Sequence, residues 1–300
     1  MSDRILVIGA TGFTGSYVVP LLLEKGYQVA CLVRSSSVTA DLPLDRVELL
    51  PGDLNDAPSL IAAMKGADVL VNLASLGFGH APNLVNSAVA AGIQRSFFIS
   101  TTAINTSLNA SSKAIRLAAE ETIRQSELVY TILRPTMIYG SSRDRNICRL
   151  IRHLKHWPVI PVFGDGNHLQ QPVYVGDVAA AVVKSFESDA TAGRIYNISG
   201  QTPVTYNELI DTASKLMGRK VRKIHLPAKP CIAVLRAFER LGIRLPIKAE
   251  QVQRLNENKA FEYQSAAADF GYSPRSLAAG LRAQLKEMQL MESFCAKDEA

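Results

Sequence analysis

Val7-Ile8-Gly9-Ala10-Thr11-Gly12-Phe13-Thr14-Gly15 is the stretch that decides the fold of this chain. The apolar run Ile5 to Ile8 reads as a buried strand that passes straight into three glycines spaced three apart. Leu21, Leu22 and Leu23 follow in a helical stretch ending near Gly26, and a second strand, Gln28 to Val33, completes a unit of about thirty residues. Strand, glycine turn and helix together make the geometry that holds a pyrophosphate. A side chain in the turn would keep the backbone away from the phosphates and the helix away from the strand. The free N–H groups and the positive dipole end of the helix then face an anion. Gly9, Thr11, Gly12, Phe13, Thr14 and Gly15 are therefore the expected contacts of a dinucleotide.

The end of the second strand selects between the two nicotinamide dinucleotides. A preference for NAD usually comes from an Asp or Glu there, accepting from the ribose 2′-OH. This chain instead has Cys31-Leu32-Val33-Arg34-Ser35-Ser36-Ser37, with no acid. Arg34 offers a planar cation, and Ser35 and its neighbours offer hydroxyls, a set suited to a 2′-phosphate. NADP(H) is the expected cofactor, with NAD second; the competing reading is a solvated Arg in a polar loop.

Several segments carry a resemblance. Gly9 to Gly15, Gly52-Asp53-Leu54 and Val71-Asn72-Leu73-Ala74 resemble the short-chain dehydrogenase/reductase superfamily. Leu133-Arg134-Pro135-Thr136-Met137-Ile138-Tyr139-Gly140, Pro172-Val173-Tyr174-Val175-Gly176-Asp177-Val178 and Phe270-Gly271-Tyr272-Ser273-Pro274 resemble its extended branch. That branch holds the nucleotide-sugar epimerases and dehydratases and their atypical relatives. The resemblance covers nearly the whole chain and implies fold and cofactor more strongly than reaction.

Composition narrows the class. Three hundred residues, 47% hydrophobic and 20% charged, suit a globular α/β protein and exclude a disordered one. No apolar run is long enough to span a bilayer, so no transmembrane segment is expected. The first strand begins almost at Met1, which predicts no signal or transit peptide and a cytoplasmic protein. Cys31, Cys148, Cys231 and Cys295 lack metal-ligand spacing and read as free thiols, so no metal is expected. The net charge of +6 gathers partly between Arg219 and Arg254. There Ile232, Leu235, Phe238 and Leu241 recur at helical spacing, with Arg236 and Arg240 between them. Packing on a substrate lobe, a membrane-surface helix and a lid over an anionic substrate compete for that stretch. No motif supports nucleic-acid binding; a small-molecule substrate is expected, and a homodimer or a protein partner is compatible with the sequence.

Continuous apolar runs alternate with helical segments: Ile5–Ile8, Val29–Val33, Val47–Leu50, Val69–Leu73, Ser96–Ile99 and Tyr130–Leu133. They predict a doubly wound parallel sheet, a Rossmann α/β fold, with the ligand at the strands' carboxyl ends. The dinucleotide domain is expected over 1–140, with segments near 170–200 returning to it. A smaller C-terminal α/β substrate lobe takes most of 141–300. Asp53, Ala74, Ser100 and Pro135 fall at strand ends, so one crevice gathers them. Asp53 and Leu54 are expected to border the adenine. Ala74 and Ser75 open a loop expected to pass the nicotinamide half, with Pro135 and Thr136 near the same crevice. Asp177, just before Val178-Ala179-Ala180, is expected to be a helix N-cap.

The resemblance also says where chemistry belongs. The superfamily usually carries a Tyr-x-x-x-Lys pair, with a Ser or Thr at the end of the preceding strand. Thr102 matches that hydroxyl and Lys113 that lysine, but Asn109 stands where the tyrosine belongs. Asn donates hydrogen bonds but is no acid or base near neutral pH. Lys113 is expected to touch the cofactor ribose; a solvated side chain is the competing reading. Thr102 and Lys113 are the expected catalytic residues: Lys113 does the proton chemistry alone, or Tyr139 or Tyr174 replaces the missing phenol, with packing the competing reading for each tyrosine. Arg143 and Arg145 are candidates to hold an anionic substrate. Gln171-Pro172-Val173-Tyr174-Val175 resembles the atypical members, including redox-sensing regulators and a complex I accessory subunit. Two functions follow: an NADP(H)-dependent oxidoreductase or epimerase on a small polar or nucleotide-linked substrate, or a non-catalytic NADP(H)-binding redox sensor or assembly scaffold.

Overall fold

The apolar runs of the first half are strands of one sheet. The computed structural model describes residues 3–93, 95–108, 111–243, 245 and 247–290. Its elements run β1 (Arg4–Ile8), α1 (Gly15–Glu24), β2 (Gln28–Val33), β3 (Val47–Pro51), α2 (Ala57–Met64), β4 (Val69–Asn72), α3 (Ala81–Ala90), β5 (Arg95–Ile99), α4 (Ser111–Arg124) and β6 (Val129–Pro135). Then come β7 (Ile138–Tyr139), α5 (Ile147–His156), β8 (Val159–Phe163), β9 (Leu169–Gln170), β10 (Val173–Tyr174), α6 (Val175–Phe186) and β11 (Arg194–Ile198). The described chain closes with β12 (Val204–Thr205), α7 (Tyr206–Leu216), β13 (Arg222–Leu226), α8 (Ala228–Arg240), α9 (Ala249–Leu255), α10 (Gln264–Phe270) and α11 (Leu277–Glu287).

Two units divide the chain. The first takes the chain up to Thr136 together with Val175–Ile198 and Glu262–Ser273. Its seven strands lie parallel in the order β11-β6-β5-β4-β1-β2-β3, the doubly wound sheet the sequence predicts. The central strands are apolar on both faces because helices cover both. Leu6 and Ile8 of β1, Leu32, Leu70, Phe98 and Ile132 share a core with Leu60 and Met64 of α2, Leu84 of α3 and Ile123 of α4. Ile5, Val7, Cys31 and Phe97 alternate to the other face, where Phe97 meets Phe186 of α6 edge-on. Helix α1, which packs on α6, buries Val18, Val19 and Leu22 completely, about 1.5–3 kcal/mol each. Edge strand β3 is largely exposed, as a strand with one neighbour should be.

Asp177 corrects one expectation. Helix α6 begins at Val175, so Asp177 lies inside its first turn and is not the residue before it. The carboxylate still sits where the helix dipole favours negative charge.

The second unit takes Met137–Tyr174, Ser199–Phe261 and the described residues from Pro274 onward. It is the smaller C-terminal α/β lobe. Short strands pair as β7 with β10, β8 with β13 and β9 with β12. Ile147, Leu150, Ile151 and Leu154 of α5 face Leu209 and Ile210 of α7 and Leu281 and Leu285 of α11. Helix α7 starts with a capping box: Thr205 Oγ1 accepts from the Glu208 amide at 3.1 Å, and Glu208 Oε2 accepts from the Thr205 amide at 2.6 Å.

Candidate nucleotide-binding site

The strand order reverses at β1, which has β4 on one side and β2 on the other, so the crevice of the sheet opens at the carboxyl ends of β1 and β4. Ile8 lies beside Asn72 in register, and Gly9 follows immediately. The three glycines of the turn differ in what surrounds them. Gly9 has φ +83°, and a Cβ on it would come within 2.9 Å of the Ala74 amide nitrogen at the end of β4. Gly15 carries helix α1 so close to β1 that a Cβ would fall 2.3 Å from the Ala10 carbonyl and 2.4 Å from that of Gly9. Gly12 is different: its Cβ would meet one neighbour, the Gly9 carbonyl, at 3.0 Å, and open space otherwise. The Gly12 amide donates to that same carbonyl at 3.0 Å, which fixes the turn. Thr14, at the N-cap, makes no side-chain capping bond. Asn72 is buried; its Nδ2 donates to the Ala74 carbonyl at 3.1 Å, and its Oδ1 has no partner.

At the end of β2, Arg34 and Ser35 are exposed. A small turn holds them: the Arg34 amide donates to Ser37 Oγ at 3.1 Å, and the Ser37 amide to the Arg34 carbonyl at 2.9 Å. Asp53, beyond β3, accepts from the Asn55 amide at 2.8 Å and from its side chain at 3.0 Å. The Asn55 amide holds the Asp53 carboxyl below its ordinary range, and Arg34 and His80 act in the same direction. Leu54 packs on the core, and its carbonyl accepts from Asn83 Nδ2. Ser75 Oγ accepts from the Gly77 amide at 3.2 Å and caps the turn Leu76–Phe78. Arg116 of α4 lies against Gly77, so the loop from Ala74 to Phe78 runs beside the first half of α4.

The ends of β5 and β6 hold the hydroxyl candidates. Thr102 is buried and its Oγ1 donates to the Pro135 carbonyl at 3.4 Å, while the Thr136 amide donates to Ile198 of β11 at 3.1 Å. Lys113 is half-buried in the first turn of α4, and its Nζ donates to the Thr106 carbonyl at 2.6 Å. It is therefore not the solvated side chain that competes with the ribose contact; it ties the helix start to the loop before it. Asn109 lies outside the described residues. The sequence reading missed a buried network next to Thr102. Glu120 accepts a short hydrogen bond from Ser100 Oγ and is gripped by Arg134 through Nε (3.1 and 3.2 Å) and Nη2. Arg134 stands in the segment Leu133 to Gly140, but its partner is 14 residues away on another element, where no local pattern points.

In the second unit, Tyr139 is sealed into the core. Its Oη donates to Leu277 at 3.4 Å and lies against Gly280, where a Cβ would leave it only 2.0 Å. Tyr174 is half-buried, edge-on to Tyr139, with the Arg275 guanidinium 4.2 Å over its ring. Arg143 and Arg145 are exposed on either side of buried Asp144, which accepts from the Asn146 amide at 3.0 Å and the Cys148 amide at 2.9 Å. One carboxylate thus shapes the loop that presents both cations.

A family model described as NAD(P)H-binding matches residues 9–189, more than half of the chain. The chain belongs to that NAD(P)H-binding family. Its ligand class is a nicotinamide dinucleotide, as the glycine turn predicts. Subunit 9 of the NADH dehydrogenase (ubiquinone) 1 alpha subcomplex, mitochondrial, from Arabidopsis thaliana is 28% identical across 88% of this chain and 70% of its own length. Quinone oxidoreductase 2 of Escherichia coli is 27% identical across 78% of this chain and 81% of its own. The crystal structure of gox2253 shares the fold with a TM-score of 0.79 at 22% identity, covering 96% of this chain and 98% of that one. Among the described residues no helix is long and apolar enough to cross a membrane, and no group of His, Cys, Asp and Glu is placed to hold a metal.

Proposed function

We propose that this NAD(P)H-binding protein is an NADP(H)-dependent oxidoreductase. The observation that carries the reading is the glycine turn. Gly9 and Gly15 have no space for a Cβ, whereas Gly12 faces open space at the start of α1, where the Thr14 side chain makes no capping bond. That cradle fits a diphosphate on the amides of Gly12 to Gly15, with Thr11, Phe13 and Thr14 around it. Arg34 and Ser35 take the 2′-phosphate, and Asp53 with Leu54 borders the adenine. Ala74, Ser75, Thr102, Pro135 and Thr136 border the nicotinamide half, where the unpaired Asn72 Oδ1 offers an acceptor. Lys113 approaches the same region from α4, while Arg143, Arg145 and Tyr174 are substrate contacts of the second unit. Tyr139, fully packed, supports the core. Free Cys31, Cys148 and Cys231 suit a reducing compartment, and we place the protein in the cytoplasm.

The chain's proton chemistry narrows the acceptor. When bound, NADPH supplies a hydride. Asn109 is not an acid, and no phenol stands four residues before Lys113. Reduction of a simple ketone makes an alkoxide that needs an acid beside it. Epimerisation starts by removing a hydroxyl proton and needs a base at the same place. A quinone takes a hydride and becomes a delocalised phenolate, which takes its proton from water. The acceptor class best suited to these residues is therefore a quinone. Anaerobic mixing of the protein, NADPH and a water-soluble benzoquinone should oxidise one NADPH per quinone, above the rate without protein.

The second reading is a non-catalytic NADP(H)-binding partner of a larger assembly, favoured by the similarity to a complex I subunit. It expects tight, slowly exchanging NADPH and no oxidation by any acceptor in the same mixture.

A further inference from the structure

Helix α8 packs one side on α9 and leaves the other uncovered. Ile232, Leu235 and Phe238 are half-buried at helical spacing, and no residue of the helix is fully buried. At about 100° per residue, Lys229, Arg236 and Arg240 fall in one stripe on the opposite side. Ala233, Ala237, Val234 and Leu241 form the stripe beside it. The helix has one acid, Glu239, and its Oε1 accepts from the Ala249 amide at 2.9 Å, at the start of α9. Every ionic group on the outer side is basic. Four aliphatics of the helix and the residues after it are open to solvent: Val234 is 53% exposed, Leu241 73%, Ile243 46% and Leu245 38%. Isolated exposed aliphatics are ordinary on protein surfaces, but four beside three cations are not.

We propose that this face, α8 with Leu241, Ile243 and Leu245, docks on the surface of an anionic lipid bilayer. Charge names the occupant. A second copy of the chain related by a two-fold axis would set the same basic stripe against itself. Protein interfaces concentrate Tyr, Trp and Phe at their centres, whereas the one aromatic ring of α8, Phe238, lies on the α9 side. Aliphatics beside Lys and Arg are what a helix needs to lie in the headgroup plane, its cations toward anionic lipid and its apolar stripe toward the acyl chains. The inference rests on the second unit alone and is independent of what the nucleotide site does.

Vesicle sedimentation of the full chain tests it. With phosphatidylcholine vesicles containing about one-third phosphatidylserine, the protein should co-sediment, and with pure phosphatidylcholine it should stay in solution. Each cation near the leaflet is worth about fivefold in partitioning, so Arg236→Gln with Arg240→Gln should weaken binding about 25-fold. Val234→Ser with Leu241→Ser keeps every charge and should also release the protein. All four positions are exposed, and NADPH affinity and circular dichroism should stay native. Arg282→Gln with Lys286→Gln on α11, which removes the same charge elsewhere, should leave binding near wild type. Equal losses from the two basic pairs would mean diffuse attraction by net charge and overturn the proposal. So would equal binding to neutral and anionic vesicles, or no binding to either. A wild-type dimer that Leu241→Ser makes monomeric would assign the face to a second copy instead.

Discussion

Replacing Gly15 with alanine should damage stability and cofactor binding together, and the sizes follow from the packing of α1 on β1. The new Cβ would stand 2.3 Å from the Ala10 carbonyl oxygen, in a space where side-chain carbons come no nearer than 3.0 Å, so the helix start must retreat by about 0.7 Å. The obstacles are backbone atoms, which cannot swing aside. Overpacking of this kind costs about 1–3 kcal/mol, a fall in melting temperature of about 2–5 °C for a chain this size. The same retreat stretches a phosphate contact from about 2.9 Å to about 3.6 Å, beyond hydrogen-bond range. Loss of one such charged bond, about 1.5–3 kcal/mol, weakens NADPH about 10- to 150-fold. Gly12→Ala is the partner experiment. Its Cβ meets only the Gly9 carbonyl and blocks the open side, so affinity should collapse while the melting temperature stays near wild type. Calorimetric titration with NADPH and thermal melts of both variants provide the numbers. Native affinity in Gly15→Ala, or a Gly12→Ala variant that binds normally, would refute the placement of the diphosphate.

Other outcomes are equally specific. Arg34→Ala should weaken NADPH by about 1.5–3 kcal/mol and leave NADH nearly unchanged, since only the former offers a 2′-phosphate; equal losses in titration would reject the NADP assignment. Glu120→Ala leaves Arg134 and Ser100 without their buried partner and should destabilise the first unit by about 3–5 kcal/mol in urea melts; a loss below about 1 kcal/mol would show the network to be incidental. Burial lowers the Lys259 ammonium to about 8, with the Glu257 charge opposing the shift, so above pH 8 the folded state holds fewer protons than the unfolded one. Stability should therefore rise from about pH 8 to 9 by at most about 1 kcal/mol, less with allowance for partial exposure, and Lys259→Met should flatten that rise. At higher pH the gain is opposed, because burial pushes the Cys31 thiol up to about 12 and the folded state keeps a proton that the unfolded chain releases. A wild-type profile flat between pH 8 and 9 would contradict the assignment.

The first unit was legible because its strands are buried on both faces. Each of the six runs read from sequence is a strand of the parallel sheet, with ends within two residues, since continuous Val, Ile and Leu leave little else to form. The second unit was read less completely. Strands β7, β9 and β12 are two residues long, too short for any period to show, whereas the apolar run at Val173–Val175 reads as a strand and is β10. Asp177 was misplaced by three positions because α6 starts directly from β10, at Val175, with no polar turn to mark it. Site residues on the glycine turn could be named since local geometry alone demands them. The Ser100–Glu120–Arg134 network and the bond from Lys113 to Thr106 could not, because each joins groups whose approach is set by the packing of α4 on the sheet. Exposure of the α8 cations was likewise invisible, as the same pattern of Ile232, Leu235 and Phe238 fits a helix covered on one side or on two.

The central claim is that this chain binds NADPH on its glycine turn and delivers the hydride to a quinone without an enzyme acid. Single-turnover mixing of the preformed NADPH complex with a water-soluble benzoquinone, under anaerobic conditions, addresses it most directly. The account predicts stoichiometric loss of the reduced nicotinamide absorbance, slowed when deuterium replaces the transferred hydrogen, and abolished with Gly12→Ala. Persistence of bound NADPH, with no oxidation above the rate in buffer, would contradict it and leave the non-catalytic reading standing.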